Sequence, residues 1–454
     1  MYRIVFASIF VLTVASFSVF SEANTPAFEQ GRVISDMPAV LPFEERIEPI
    51  NAMLEERLDK LLPELMAESN IDMWLVINRE YGEDKLFYTL VPQPTFAARR
   101  TTILVFAKTD DGVERFSVSR YAIGDTYPTV WEGGSLEQQW ARLAEVIAQR
   151  DPKRIGINIS RDWPMADGLS AGLEQLLREA LAPKYEERLV SAEKLVLRWL
   201  ETRSPLEQQV YPHVVNIARA VIAEAFSNKV ITPGKTTTDD VAWYLRNRFE
   251  TLQLRPWFQP YVNIQRRGDA TTKDDVFMGK EGIVIMRGDI LHTDVGICYL
   301  NQCTDTQEMA YVLNLGETDA PQGLKDAMAV GNTWQDILTS EFVKGRTGNE
   351  ILAATQEKAA AQGILSSTYT HPIGFVGHAS GPTIGMWDNQ GPTPIRGDYP
   401  LYPDTAYAIE GNIKTQVPEW DNQWVQIKLE QSALFDGENV WYLAGRQTHW
   451  HLVH

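Results

Sequence analysis

The chain has 454 residues, of which 44% are hydrophobic and 22% are charged, an ordinary composition for a globular protein with a large core. Its net charge of −18 at pH 7 argues against nucleic acid and anionic membrane surfaces as partners, because both need a basic protein surface. We therefore expect no nucleic-acid partner and, after removal of any leader, no membrane association. The length allows two or three domains.

The N-terminus has the pattern of a cleavable signal peptide. A positive charge at Arg3 precedes an apolar run over residues 4–20, and residues 21–23 supply the small side chains that a signal peptidase reads. The alternative is a single membrane anchor, but a run of about 17 residues is marginal for spanning a bilayer. We predict a signal peptide over residues 1–23 and a periplasmic or secreted mature protein.

The first half of the mature chain alternates helical and strand patterns. Apolar residues at helical spacing predict an amphipathic helix over residues 44–68. Apolar, β-branched runs predict strands at 73–78, 101–106 and 154–159, with a helix over 136–149 between the last two. This alternation predicts a smaller α/β domain over residues 40–192.

A second domain is predicted over residues 195–454. Long helical patterns cover residues 195–228 and 238–250, and the first is interrupted around residues 203–207. There Ser204 and Glu207 form a capping box around Pro205, which suits the first turn of a new helix. Strand patterns dominate the remainder, so the whole chain is expected to be α+β.

Two aspartates lie in a predicted hairpin. Apolar, β-branched residues around Asp294 indicate a strand, and Asn301 is the most turn-prone residue before Asp305. Two strands joined at Asn301 would lay the two aspartates opposite each other on one face. Alone, Asp294 would suit an ordinary strand end or turn. As a pair, the carboxylates repel each other in a partly buried site unless cations lie between them.

The chain has two cysteines, Cys298 and Cys303, and both lie inside this hairpin. In an exported protein they could form a disulfide, although the five-residue separation across a tight turn makes suitable geometry uncertain. The alternative is that both pack as small apolar core residues. We favour core packing.

One histidine and two further acids complete a candidate metal site. His371 and His378 lie seven residues apart around a glycine, while Glu410 and Glu430 each interrupt an alternating apolar strand. An acid at a core-like strand position is costly to bury unless it is paired or binds a metal. One histidine and four carboxylates form a hard ligand set suited to Mn²⁺, Co²⁺ or Zn²⁺.

The order and spacing of these motifs resemble the methionine aminopeptidase, prolidase, aminopeptidase P and creatinase superfamily. The resemblance implies a C-terminal pita-bread domain preceded by a smaller α/β creatinase-type domain. It implies two divalent metal ions, with Mn²⁺ favoured, and bridging by Asp305 and Glu430. His378 would contact substrate around the scissile carbonyl. The implied metal ligands are Asp294, Asp305, His371, Glu410 and Glu430.

The substrate-facing motifs depart from that family. Its peptidases usually carry a histidine about seventeen residues before the first aspartate, near Phe277 here, and another where this chain has Ser367. Lys428 stands where the prolidase branch often has arginine. Strand alternation puts His292 on the same face as Asp294, so His292 could stand in for a missing histidine. The alternative is a histidine beside the site without a chemical role.

Three functions stay open at this stage. The leading one is an exported metallo-exopeptidase of the aminopeptidase P or prolidase type, in which a hydroxide held by two ions attacks a peptide carbonyl. There Glu410 or Glu430 would shuttle a proton, and His378 would stabilise the oxyanion. The others are a creatinase-like hydrolase of a small amide or amidine and a non-catalytic binding protein. We expect a short peptide or small amide as ligand and a homodimer.

Overall fold

The computed structural model describes residues 37–269 and 282–454. The predicted signal peptide over residues 1–23 and the position of Phe277 lie outside these ranges. Within them, no helix is long and apolar enough to cross a membrane.

The N-terminal part folds around one five-stranded sheet with helices beside it. Its strands are β1 (Met73–Arg79), β2 (Thr101–Thr109), β3 (Gly112–Val118), β4 (Ile155–Ile157) and β5 (Leu189–Ser191). Their order is β3-β2-β1-β4-β5, with antiparallel pairing among the first three strands and parallel pairing of β4 with β1 and β5. The three strands predicted from the sequence are confirmed.

The helices of this part also follow the sequence patterns. They are α1 (Phe43–Glu56), α2 (Leu62–Glu68), α3 (Leu136–Arg150), α4 (Ala171–Ala180) and α5 (Pro183–Glu186). A π-helical turn, Arg57–Leu61, joins α1 to α2, so the helix predicted over residues 44–68 is confirmed as one helical segment. Short 3-10 turns occupy Lys85–Thr89 and Pro164–Ala166.

Two helices carry the chain into the C-terminal part, namely α6 (Glu193–Glu201) and α7 (Pro205–Ala225). Ser204 and Glu207 form the predicted capping box at the start of α7. Glu207 also receives a 2.7 Å hydrogen bond from Arg57, and both side chains are buried. This ion pair ties the N-terminal helical segment to the start of the second part. The precise limits of the two predicted domains stay a prediction.

The C-terminal part contains a nine-stranded, mainly antiparallel sheet. Six strands follow the order β12-β14-β15-β11-β8-β7, while β13, β16 and β17 pair with β14, β15 and β11. The nine strands are β7 (Tyr261–Gln265), β8 (Ile290–Val295), β11 (Thr306–Val312), β12 (Leu365–Thr368), β13 (His371–Ile373), β14 (Thr405–Val417), β15 (Gln423–Phe435), β16 (Val440–Tyr442) and β17 (His451–Val453). Two long strands, β14 and β15, form its centre.

Three helices accompany α7 in this part: α8 (Thr238–Thr251), α9 (Gln322–Thr339) and α10 (Gly348–Ala361). A 3-10 turn, Pro418–Trp420, lies between β14 and β15. On α7, Arg219 pairs with Glu308 of β11, and on α9, Gln335 donates to Gln431 of β15. Because Gln307 pairs with Glu430 in register, Glu308 and Gln431 lie on one face of the sheet. Glu430 therefore faces the other way, as do Gln426 and Lys428, which line a cavity.

The predicted hairpin is present, and its tip belongs to a separate small sheet. Strands β9 (Ile297–Tyr299) and β10 (Gln302–Cys303) pair with each other, and β6 (Arg255–Pro256) pairs with β9. Leu300 and Asn301 both have positive φ, as a two-residue hairpin turn of the I′ type requires.

The expectation that Cys298 and Cys303 pack as free core residues was wrong, because they form a disulfide. The two-residue turn makes them a directly opposed pair with Cα atoms 4.0 Å apart. That position is the non-hydrogen-bonded one, where facing side chains approach most closely. The backbone amide of Cys303 donates a hydrogen bond to the carbonyl oxygen of Gly374.

Candidate metal centre

The five predicted ligands come together on the face of the C-terminal sheet opposite to Glu308 and Gln431. Glu410 and Glu430 lie directly opposite each other on β14 and β15. Asp294 is the last but one residue of β8 and is paired with Gln307, so it lies diagonal to Asp305. The expectation of directly opposed aspartates was therefore wrong by two residues. Their common face is as expected, because a shift of two residues preserves the side on which a strand residue lies.

The ligand atoms form three overlapping groups. Asp305, His371 and His378 make one; His371, Glu410 and Glu430 make another; Asp294, Asp305 and Glu430 make the third; within each group the candidate ligand atoms lie within 4.8 Å of one another. The Nε2 atom of His371 lies 3.6 Å from Asp305 Oδ2 and 3.7 Å from Glu410 Oε2. Asp305, His371 and Glu430 each belong to two groups, and of these three only the two carboxylates have a second oxygen with which to bridge two ions.

Several polar atoms of this cluster are buried without a hydrogen-bond partner. They are Asp294 Oδ1, Asp305 Oδ1, His371 Nε2 and both carboxylate oxygens of Glu430. Burial of such atoms costs free energy unless something compensates it. Because these atoms converge on the same space, the residues fit bound divalent cations. The metal-binding role of each residue stays a prediction.

His371 is prepared to use its Nε2 atom as a ligand. Its Nδ1 atom lies 3.0 Å from the carbonyl oxygen of Pro372, so Nδ1 carries the proton and donates it. Burial lowers the pKa of His371 to about 4 despite this hydrogen bond, so the ring is neutral at pH 7. A neutral imidazole with one nitrogen fixed by a carbonyl is the usual form of a metal-ligating histidine.

The carboxyl groups are protonated more easily than ordinary acids. Burial, followed by repulsion from Glu410, raises the pKa of Asp294 to about 8. Burial raises the pKa of Glu410 to about 8 as well, against a hydrogen bond from Gln307. Burial and the neighbouring carboxylates raise the pKa values of Asp305 and Glu430 well above the ordinary range. A cation in their midst would remove this repulsion and release the protons.

A chain of hydrogen bonds supports Glu410 from behind. The side-chain amide nitrogen of Gln307 donates to Glu410 Oε1 at 2.7 Å, and the Oε1 atom of the same amide accepts from His292 Nε2 at 2.8 Å. Asn263 approaches the other ring nitrogen of His292 at 3.4 Å. Because each group donates toward Glu410, this series of hydrogen bonds favours the ionised form of the Glu410 carboxylate and fixes its orientation.

His292 is therefore separated from Glu410 by Gln307. It is on the same face as Asp294, as strand alternation predicted, but it is buried and does not line the cavity. Burial lowers its pKa well below the ordinary value, so it is a neutral hydrogen-bonding group. A role for His292 in place of a missing histidine stays a prediction.

Sequence reasoning missed two supporting residues, Gln307 and Tyr261. Tyr261 donates to Asp294 Oδ2 at 3.0 Å and leaves the other oxygen of that carboxylate for the cluster. Both are polar residues at inward positions of strands that carry or adjoin ligands. That alternation is the signal that could have identified them.

His378 lies at the rim of the cluster. Its side chain is 57% exposed, lines the cavity, and places Nε2 3.9 Å from Asp305 Oδ2. Trp257 packs edge-on against its ring at 4.9 Å between centroids. A Cβ atom at Gly296 or Gly377 would lie 2.0 or 2.1 Å from the Trp257 indole, so both glycines make room for it. Trp257, which sequence reasoning also missed, holds His378 in place.

The cluster opens into a cavity of about 810 Å³. Trp257, Phe258 and Tyr261 form one aromatic wall, and Tyr369 and Trp387 contribute to the rest. Ser367, where the resemblance led us to look for a histidine, also lines the cavity. A largely apolar cavity of this size with a few converging polar groups is typical of a ligand-binding site.

Comparison with known proteins supports the fold. The chain is similar in structure to an X-Pro aminopeptidase from Thermotoga maritima MSB8, with a TM-score of 0.61 and 17% identity, over 86% of this chain and 100% of that one. It is similar to a Xaa-Pro dipeptidase from Bacillus anthracis, with a TM-score of 0.56 and 17% identity, over 89% of this chain and 100% of that one. It is similar to a prolidase from Pyrococcus horikoshii OT3, with a TM-score of 0.53 and 14% identity, over 87% of this chain and 98% of that one.

These similarities establish the fold class. The chain is an α+β protein with a pita-bread C-terminal part behind a smaller α/β part, so the predicted fold is confirmed. No protein-family model matches the chain, and no curated protein sequence matches it.

Proposed function

We propose that the protein is an exported dinuclear metal-dependent hydrolase that cleaves short peptides as an exopeptidase. The observation that carries the proposal is the set of buried, unpartnered ligand atoms on Asp294, Asp305, His371 and Glu430, which converge at the end of a cavity. Two of the proteins of similar fold that are named above are an X-Pro aminopeptidase and a Xaa-Pro dipeptidase, and we propose Xaa-Pro peptides as the first substrates to test.

The residues divide into ligands and substrate-facing groups. Asp294, Asp305, His371, Glu410 and Glu430 would hold two divalent ions, with Mn²⁺ favoured and Co²⁺ or Zn²⁺ as alternatives. Such ions, when bound, supply an activated water near neutral pH and polarise a carbonyl group.

The protein's own groups would move the proton and steady the substrate. Glu410 keeps one oxygen on Gln307 and turns the other toward the cluster, so it can accept a proton and return it to the leaving group. His378 would donate to the developing oxyanion from the cavity rim. Trp257 would hold the His378 ring in the orientation that this donation needs.

The size of the cavity favours a peptide over a small amide or amidine. About 810 Å³ lies near the upper end of the range for ligand pockets, and aromatic side chains line a large part of it. A small amide would leave most of that apolar surface in contact with water. The creatinase-like alternative therefore ranks second.

The test combines metal loading with a peptide panel. Protein loaded with Mn²⁺, Co²⁺ or Zn²⁺ should cleave one or more Xaa-Pro dipeptides or tripeptides between pH 6 and 9. His378→Ala should lower turnover by about 10²–10³ with unchanged metal content, as loss of one oxyanion donor does. His371→Ala should lose metal and activity together. Absence of cleavage by the fully loaded wild-type protein would reject the peptidase and favour the small-amide hydrolase.

Export and dimer formation are parts of the same proposal. Mass spectrometry of the mature protein from its host should find an N-terminus near Asn24, and recovery of soluble protein that retains Met1 would refute export. Sedimentation equilibrium should give twice the chain mass if the protein is a homodimer.

A further inference from the structure

Two lysines line the cavity beside the acids of the cluster, in a protein that is strongly acidic. They are Lys414 and Lys428, while the chain as a whole has a net charge of −18. A negatively charged ligand would be repelled by the protein at long range, so a local pair of ammonium groups has a marked effect on which ligands enter.

The two lysines lie on the same face as the metal cluster. On β14, Glu410 and Lys414 are four residues apart, and on β15, Lys428 and Glu430 are two apart. Even spacing on a strand places both lysines on the face of the glutamates. The pairings of Lys414 with Gln426 and of Asn412 with Lys428 make the lysines diagonal neighbours.

The two lysines lie at different distances from the cluster. Lys428 is two residues from Glu430 on β15. Lys414 lies further away on β14, about 14 Å from Glu410 between Cα atoms at about 3.4 Å per residue.

We propose that the cavity selects peptides longer than dipeptides that carry a carboxylate about four residues from the scissile bond, with Lys414 as the specificity-determining residue and Lys428 beside it. The spacing follows from the strand, since an extended peptide advances about 3.3–3.6 Å per residue and a chain lying along β14 would span that distance in this number of residues. The proposal rests on the proposed function for the position of the scissile bond.

The test compares matched peptides that differ only in charge. A series of tripeptides to pentapeptides would carry Asp or Asn at each position, with the C-terminus free or amidated, so that a side-chain carboxylate and a terminal carboxylate are separated. Cleavage by the Mn²⁺-loaded protein and equilibrium binding by calorimetry are both measured. The acidic member of a pair should be preferred by about tenfold or more, as expected for a charge-assisted hydrogen bond.

Three variants assign the preference to Lys414. Lys414→Met should abolish it, Lys414→Arg should keep it, and Lys414→Glu should reverse it in favour of peptides with lysine at the same position. Lys344→Met is the matched control, since Lys344 is exposed and does not line the cavity. Equal binding of the Asp and Asn peptides by the wild-type protein overturns the inference without requiring any variant to fold.

The outcomes separate this inference from the proposed function. Binding with a Lys414-dependent charge preference but without cleavage would support the inference and reject the peptidase. Cleavage without any charge preference would support the peptidase and overturn the inference.

Discussion

Two buried acids at the start of β11, one of them in the residue before it, lie on opposite faces of the sheet and are of opposite kinds. Glu308 faces the helices, where Arg219 lies 2.6 Å away and His451 also contacts it. Asp305 faces the cavity, where its neighbours are other carboxylates and the neutral His371. Burial would raise the pKa of Glu308, but Arg219 and His451 outweigh it and lower the pKa to about 2. The pKa of Asp305 is raised well above the ordinary range.

This contrast separates a buried acid that is paired within the protein, Glu308, from a buried acid that is not, Asp305. Both kinds are buried, so burial alone does not distinguish them. The difference is whether the protein itself supplies the compensating charge. The helix-facing side does so with Arg219, while the cavity-facing side leaves its oxygens without partners.

The largest effect is expected when the cavity-facing acid is neutralised. Asp305→Asn should lose the bound ions and lower activity by more than about 10³, because a ligand shared by two groups matters more than a single oxyanion donor. The metal-free variant should unfold at the same temperature as the metal-free wild type, or higher, since one repelling charge is gone. Elemental analysis and calorimetry measure the two quantities. A variant that keeps both ions would remove Asp305 from the ligand set.

On the helix-facing side the expected loss is of stability. Arg219→Met leaves Glu308 buried without its main cation and should lower the free energy of unfolding by about 3–5 kcal/mol. Arg446→Met provides the control, because its partner Asp336 is 62% exposed and such pairs contribute about 1 kcal/mol or less. Chemical denaturation measures both. Equal losses in the two variants would contradict the role given to the Glu308 pair.

The hydrogen-bond chain behind Glu410 should affect metal affinity. His292→Ala interrupts the support of Gln307 and should weaken metal binding by about 10–100-fold, as is typical of residues behind the ligands. Chelator competition measures the affinity, with His213→Ala on α7 as the control. A fall in turnover with unchanged metal affinity would instead favour the earlier hypothesis that His292 serves the substrate directly.

The smallest effect is a pH dependence with opposite signs on the two faces. An acid with a raised pKa stabilises the folded state below its unfolded pKa, and this stability is lost as pH rises through the folded pKa. Asp294 and Glu410, with pKa values of about 8, should therefore make the metal-free protein less stable between pH 7 and 9. Glu308 contributes stability above its unfolded pKa that is lost only as pH falls toward 2.

Thermal melts of the metal-free and metal-loaded proteins across pH 7 to 9 measure this effect. Bound metal should remove the decline, because it keeps the carboxylates ionised without repulsion, and metal affinity should rise with pH over the same range. Metal-free stability that is flat or rising from pH 7 to 9 would contradict the account of the cavity-facing acids.

The sequence predicted the features that depend on local periodicity. Strand alternation marked Glu410 and Glu430 each as an acid at a core-like strand position, and the capping box at Ser204 marked the start of α7. It did not predict the diagonal register of Asp294 and Asp305, because the chain leaves the main sheet at Gly296 to form the small hairpin sheet. The same hairpin also places Cys298 and Cys303 opposite each other, which allows the disulfide.

Contacts between distant segments were also beyond local reasoning. Trp257 reaches His378 only because Gly296 and Gly377 leave space for the indole, and these residues are far apart in the chain. Gln307 carries no signal of its role until His292 and Glu410 are seen on either side of it. Such residues become identifiable once the strands that carry the ligands are aligned.

The most direct test of the contrast between the two faces is the metal content of the purified protein after exposure to Mn²⁺ or Zn²⁺. About two ions per chain are expected for the wild type and for Arg219→Met, and none for Asp305→Asn. A wild-type stoichiometry near zero, with all five ligands intact, would contradict the claim that the unpartnered acids of the cavity face await cations.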